Sequence, residues 1–216
     1  MKVELSSGRL LLCRHGQTGF NADRRFQGQL DEPLSDEGRR QSRLLAQRLA
    51  AEPIDAAYSS DLCRASETAR LILAERALPL RLDPRLREVA FGRWEGLTFS
   101  EIKDRYPEDV AARERELIHF AMPGGGESLA QLAERVAGFL LETLPEHEGQ
   151  TVLIVSHGGT VNAIISSLLD IPLQSWWRLR NHNGNLTTFE FTPLGTRLTS
   201  FNDTCHLEDH AQLRWP

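Results

Sequence analysis

The sequence predicts an α/β protein, a three-layer α/β/α sandwich with a mostly parallel central sheet and a helical segment inserted over one end of it. Three observations lead there. Short apolar runs alternate along the chain with segments whose apolar residues recur at helical spacing, the order that builds parallel strands joined by crossover helices. Two of those runs, Leu10-Leu11-Leu12-Cys13 and Val152-Leu153-Ile154-Val155, are apolar throughout, as strands covered on both faces are. Both runs end in a histidine-glycine turn, at Arg14-His15-Gly16 and at Ser156-His157-Gly158-Gly159.

The 216 residues, 40% hydrophobic and 25% charged, suffice for one sizeable core and are read as a single domain, 1–216. A net charge of -5 gives no overall pull toward nucleic acid or an anionic membrane, although a local basic pocket for a small anion is compatible with it. No apolar run long enough to span a membrane and no cleavable leader are seen, so a cytoplasmic protein is expected. Cys13, Cys63 and Cys205 have no metal-type spacing and are expected to be free thiols.

In chain order, a strand over residues 9–13 leads into a long loop, 16–33, that carries Asn21, Arg24, Arg25, Phe26, Gln27 and Gly28. Loops of that length are more often functional than idle. Ser35 is a candidate N-cap for a helix whose apolar stripe includes Leu44, Leu45 and Leu49, and Pro53 ends it. A strand over 54–59 follows. Ser60-Asp61 is then read as the cap of a helix over 62–76, with Leu62, Ala65, Ala69 and Ile72 at core spacing. Leu80-Arg81-Leu82 is a weaker strand, and residues 83–96 have no period and read as a second long loop. Helices are predicted over 98–105 and 108–120, then a Pro123-Gly124-Gly125-Gly126 break and a helix opened by Glu127-Ser128 with Leu129, Leu132, Val136, Phe139 and Leu140 on one face. After the strand ending at Ser156 come a helix over 160–169, a break at Pro172, and two terminal strands over 185–191 and 197–201 that add an antiparallel edge. In such sheets ligands bind beyond the carboxyl ends of the strands, where both His-Gly turns sit. His15 and His157 are therefore predicted to meet.

Two histidines and at least two arginines beside glycines suit phosphate, because the guanidinium fork pairs with two oxygens and a helix N-terminus favours anions. A Walker-type loop is absent. A neutral imidazole held in one tautomer is also a competent nucleophile near neutral pH. The blocks Leu12-Cys13-Arg14-His15-Gly16-Gln17-Thr18, Phe26-Gln27-Gly28, Ser59-Ser60-Asp61-Leu62-Cys63-Arg64-Ala65, Phe91-Gly92-Arg93-Trp94-Glu95-Gly96 and Val155-Ser156-His157-Gly158-Gly159, with Asn21 and Glu88, occur in order over residues 9–202. Together they resemble the histidine phosphatase (phosphoglycerate mutase-like) superfamily.

That resemblance implies that His15 is the nucleophile that becomes phosphohistidine. It implies that Arg14, Arg64 and His157 surround the phosphoryl oxygens, with Asn21, Gln27 and the Gly158 backbone as further contacts. Glu88 corresponds to the acid that protonates the leaving alkoxide, and to do so it must hold a proton when substrate binds. Arg24, Phe26 and Trp94 are placed at the substrate mouth, beneath an insertion over about 98–123. No metal or cofactor is implied. The partner is a small phosphorylated substrate, with no nucleic acid or membrane, and a homodimer is compatible with the family. His206 and His210, with His182, are read as exposed tail residues rather than a metal cluster.

Residues 91–98 and the 123–128 break resemble the phosphatase branches: the broad-specificity, alpha-ribazole and fructose-2,6-bisphosphatase-like types. A phosphomonoester hydrolase of histidine acid-phosphatase type is therefore expected. The alternatives are a cofactor-dependent phosphoglycerate mutase, in which Arg113 or Arg115 meets a substrate carboxylate, and a non-catalytic phosphoester-binding module.

Overall fold

The computed structural model describes Val3 and residues 5–207. Its strands are β1 (Gly8–Arg14), β2 (Ala56–Ser59), β3 (Leu80–Leu82), β4 (Thr151–Ser156), β5 (Leu186–Thr192) and β6 (Gly195–Asp203), in the spatial order β3-β2-β4-β1-β5-β6. The first four in that order run parallel, and β5 and β6 add the antiparallel edge that the sequence predicts. The helices are α1 (Gly19–Ala22), α2 (Asp36–Leu49), α3 (Cys63–Leu73), α4 (Phe99–Arg105), α5 (Pro107–Arg115), α6 (Leu129–Thr143) and α7 (Gly158–Leu168).

The apolar character of β1 and β4 follows from the two layers they separate. Leu10, Leu12, Val152 and Ile154 join Val136, Phe139 and Leu140 of α6 and Val161 and Ile164 of α7 in one core. The alternate residues Leu11, Cys13, Leu153 and Val155 join Leu45 and Leu49 of α2 and Ala65, Ala69 and Ile72 of α3 in the other. Because successive strand residues face opposite ways, burial on both faces demands an unbroken apolar run.

Several boundaries differ from the sequence reading, each for a local reason. The residue capping α3 is Leu62, with no side-chain cap bond, and Asp61 instead forms an ion pair with Arg87. Arg76 lies past the end of α3 and donates from Nη1 to the Glu52 carbonyl beyond the C-terminus of α2. Helix α5 stops at Arg115, and the following turn places the Ile118 carbonyl 3.0 Å from the amide of Ala130, one of the donors that the start of α6 cannot satisfy itself. Ser35, Thr98 and Ser128 cap α2, α4 and α6 through their hydroxyls.

His182 and His206 are not exposed tail residues. His206 Nε2 bonds the Gly184 carbonyl at 2.8 Å, and His182 Nδ1 lies 2.8 Å from the Asn202 amide, so both brace the segment entering β5. His210 lies outside the described residues. Among the described residues no group of three or more His, Cys, Asp or Glu side chains is placed to hold a metal ion, and no helix is long and apolar enough to cross a membrane.

Candidate active site

Strand β1 lies between β4 and β5, and its ladder continues one residue past the strand, where the His15 amide donates to the Ser156 carbonyl at 2.9 Å. That bond aligns the two His-Gly turns. His15 Nδ1 is 2.6 Å from the Gly16 carbonyl. A carbonyl only accepts, so Nδ1 carries the proton and Nε2 presents a lone pair. Burial, then the Arg64 and Arg14 guanidiniums, hold the His15 pKa well below its ordinary value, and the imidazole is neutral.

His157 has the opposite tautomer. Arg64 Nε donates to its Nδ1 at 3.2 Å, so the proton of the neutral ring sits on Nε2, which is buried and has no hydrogen-bond partner. Burial and the charge of Arg64 again depress the pKa. The two rings meet edge to face with centroids 5.1 Å apart. Side by side, the site offers one imidazole nitrogen with a free lone pair and one with a free N–H.

Arg64 is fully buried. Its Nη1 and Nη2 donate to the Leu30 and Gly28 carbonyls, each at 2.7 Å, which ties α3 to the 26–30 loop. Arg14 donates from Nη1 to the Asn181 carbonyl at 2.9 Å and keeps a buried, unpartnered Nε. Gly158 packs against it, since a Cβ built there would stand 3.5 Å from Arg14 Cζ.

Glu88 reaches the same place from the 83–96 loop. Both its oxygens lie 3.1 Å from the Gly159 amide at the start of α7, and Oε1 also accepts from the Val89 amide at 2.9 Å. A Cβ at 159 would lie 2.6 Å from Glu88 Oε1 and 3.0 Å from Val89 Cγ2, so a side chain there would displace the Glu88 carboxylate. Arg135 of α6 holds the loop from behind, donating to the carbonyls of Arg85 and Glu88.

A cavity of about 210 Å³ opens at this point, lined among others by Arg14, His15, Asn21, Arg24, Phe26, Gln27, Arg64 and Glu88. The sequence therefore located most of the lining. Asn21 contributes only its NH2 group to the cavity, because its Oδ1 accepts from the Thr18 amide and from Asn183 Nδ2, each at 3.1 Å. The Gln27 amide oxygen is buried without a partner, and rotating the amide by half a turn would present its NH2 instead.

Trp94 is not at the mouth. It is 1% exposed, and its indole packs with Ile102, Val110 and Met122 in a small separate core, with its N–H 3.4 Å from Asp109 Oδ2. Phe26, which lines the cavity, lies edge to face with the indole at 6.0 Å, and Phe91, also in the lining, packs against the same core. The 98–123 segment builds that core beside the cavity and supplies none of its lining residues. Arg113 stacks over Trp94, with 5.9 Å from its guanidinium carbon to the ring centroid.

Sequence reasoning missed the 181–185 segment. Asn185 Oδ1 accepts from the Arg14 amide at 3.1 Å, Asn183 Nδ2 donates to the His15 carbonyl at 3.1 Å, and the Gly184 amide lies 3.1 Å from the carbonyls of both Arg14 and His15. The run Asn181-His182-Asn183-Gly184-Asn185 is itself a signal, since so many amide side chains around a glycine mark a built turn. Glu95, in the same loop as Glu88, does not line the cavity. Its Oε1 accepts from the Gln29 and Phe91 amides, each at 3.0 Å, and fastens the two long loops together. Gly28, at φ 56°, leaves the room that this carboxylate occupies.

A second depression, about 740 Å³, lies at the opposite end of the sheet, between the end of α7 and the β5–β6 turn. Its titratable lining is Glu148 and Asp170, the wrong sign for an anion. The smaller cavity has the opposite character, with Arg14, Arg24 and Arg64 in its lining and the unpartnered Arg14 Nε and the His15 ring beside one another.

Comparison with known proteins agrees with that geometry. The sequence profile of the histidine phosphatase superfamily (branch 1) matches residues 10–204. Phosphoserine phosphatase 1 of Hydrogenobacter thermophilus is 37% identical over 199 residues, covering 92% of this chain and 94% of that protein. A probable phosphoglycerate mutase of Yersinia enterocolitica is 35% identical over 207 residues, covering 92% and 94%. The structure of phosphoserine phosphatase from Entamoeba histolytica in complex with 3-phosphoglyceric acid superimposes with a TM-score of 0.80 at 32% identity, covering 93% of this chain and 99% of that one. The chain belongs to the histidine phosphatase superfamily, branch 1.

Proposed function

We propose that this chain hydrolyses phosphomonoesters of small metabolites in two steps through a phosphohistidine at His15. The observation that carries the reading is the pair of opposed tautomers, a lone pair on His15 Nε2 next to an unpartnered N–H on His157 Nε2. In the first step His15 Nε2 attacks phosphorus and the ester P–O bond breaks. The departing oxygen takes its proton from Glu88, while Arg14, Arg64 and His157 Nε2–H stabilise charge on the equatorial oxygens. In the second step Glu88 accepts a proton from water as it attacks the phosphohistidine, the P–N bond breaks, and inorganic phosphate leaves. Similarity to proteins named phosphoserine phosphatase supports water as the acceptor.

Release of inorganic phosphate from p-nitrophenyl phosphate and from a panel of phosphorylated metabolites, with and without EDTA, tests this. Turnover unaffected by chelator and abolished by His15→Ala is the expected result. Loss of turnover with EDTA, or full turnover by His15→Ala, would refute it. A mutase reading is favoured by the names of relatives called phosphoglycerate mutases or mutase-like. Interconversion of 2- and 3-phosphoglycerate with negligible phosphate release would establish it instead.

A further inference from the structure

We propose that Arg24 reads a second anionic group on the substrate, so that the preferred esters carry a carboxylate a few bonds from the phosphoryl group. The inference rests on the phosphomonoesterase reading above.

Charge around the cavity is unbalanced in one direction. Arg14, Arg24, Arg25 and Arg64 line it, against a single acid, Glu88. Arg25 is already committed, donating to Glu101 Oε2 and to the Gly96 carbonyl at 2.8 Å each. Arg14 and Arg64 flank His15 on the cavity floor, and their two charges match a phosphoryl dianion. Arg24 remains over. It stands exposed at the rim, and among the described residues no acidic side chain pairs with it.

Its backbone is held. Arg24 has φ 56°, in the left-handed turn that closes α1, where its amide bonds the Asn21 carbonyl and the next amide bonds that of Phe20. Glycine is the residue that such a turn favours, and a long cation occupies the position here. Arg25, anchored to Glu101 and Gly96 and bridged to Thr98, fixes the chain on the far side. The guanidinium therefore projects from a tethered point beside the phosphoryl site. One excess positive charge suits a carboxylate, which brings one negative charge and pairs with the guanidinium fork.

O-phospho-L-serine and O-phosphoethanolamine differ only in the carboxylate, and their kcat/KM ratio measures its reading. Wild-type enzyme is expected to prefer phosphoserine, and the preference to weaken as salt is raised. Arg24→Gly and Arg24→Asn both accept the left-handed turn. In each the ratio is expected to fall about fivefold or more, mainly through KM for phosphoserine, while Arg24→Lys retains part of it. A ratio unchanged in the variants, parallel losses on both substrates, or a wild-type preference for phosphoethanolamine would overturn the assignment while leaving hydrolysis in place. Wild-type enzyme that releases phosphate from neither ester nor from p-nitrophenyl phosphate would overturn the phosphomonoesterase reading itself.

Discussion

Arg64 Nε donates to His157 Nδ1 across 3.2 Å, and this contact turns the His157 Nε2–H into a buried donor with nothing inside the described protein to bind. One side chain thus sets the tautomer of another while its remaining nitrogens hold the Gly28 and Leu30 carbonyls. Lysine cannot make all three contacts. Arg64→Lys is expected to lower kcat/KM by about 10² or more, the scale of losing a preorganised donor at a developing oxyanion. It should also lower stability by roughly 1–3 kcal/mol for each buried carbonyl left without its donor. Steady-state kinetics with thermal unfolding checks both, and a variant within twofold of wild type would contradict the arrangement.

Gly159→Ala should act on Glu88 rather than on His15. The added methyl would lie 2.6 Å from Glu88 Oε1, so the carboxylate must leave the amides that position it. Hydrolysis of alkyl phosphates, whose leaving groups need a proton, is expected to slow by at least about tenfold more than that of p-nitrophenyl phosphate. Glu88→Gln should show the same asymmetry. Equal slowing of both substrate types in either variant would remove Glu88 from the acid role.

Stability should depend on pH through the buried imidazoles. In the folded protein His15 and His157 stay neutral well below the ordinary value of 6.5, whereas in the unfolded chain they take up protons as pH falls through it. Below that pH the unfolded state binds more protons. Stability is therefore full above about 6.5 and declines beneath it, by about 1.4 kcal/mol per pH unit for each histidine until its folded-state pKa is reached. Urea unfolding from pH 7 to pH 5 measures the slope. His157→Gln is expected to remove one histidine's share, and an unaltered slope would contradict the burial of a neutral ring.

The parts of this protein that were legible in its sequence are those where a local pattern reports a physical demand. Four consecutive apolar residues at 10–13 and at 152–155 report strands covered on both faces, and the His-Gly turns at their ends report the site. Arg64 carried no such local signal, and its place at the site was implied by the resemblance of the 59–65 block to the family. Contacts that close over long sequence separations left no such trace. Asn183 and Asn185 hold His15 and Arg14 from about 170 positions away, and no period links them. Trp94 shows the other limit. In a segment without periodicity an aromatic side chain carries no sign of which way it faces, and here it turns away from the cavity into the core beneath α4 and α5.

The nucleophile is the centre of the account, and trapping it is the most direct test. Enzyme mixed with a phosphomonoester and quenched at high pH within the first turnover should carry one phosphoryl group, stable to base and labile to acid, on the peptide containing His15. No such group should form in His15→Ala. A phosphoryl group on any other residue, or steady phosphate release with no phosphoenzyme at any quench time, would contradict the bond proposed between His15 Nε2 and phosphorus.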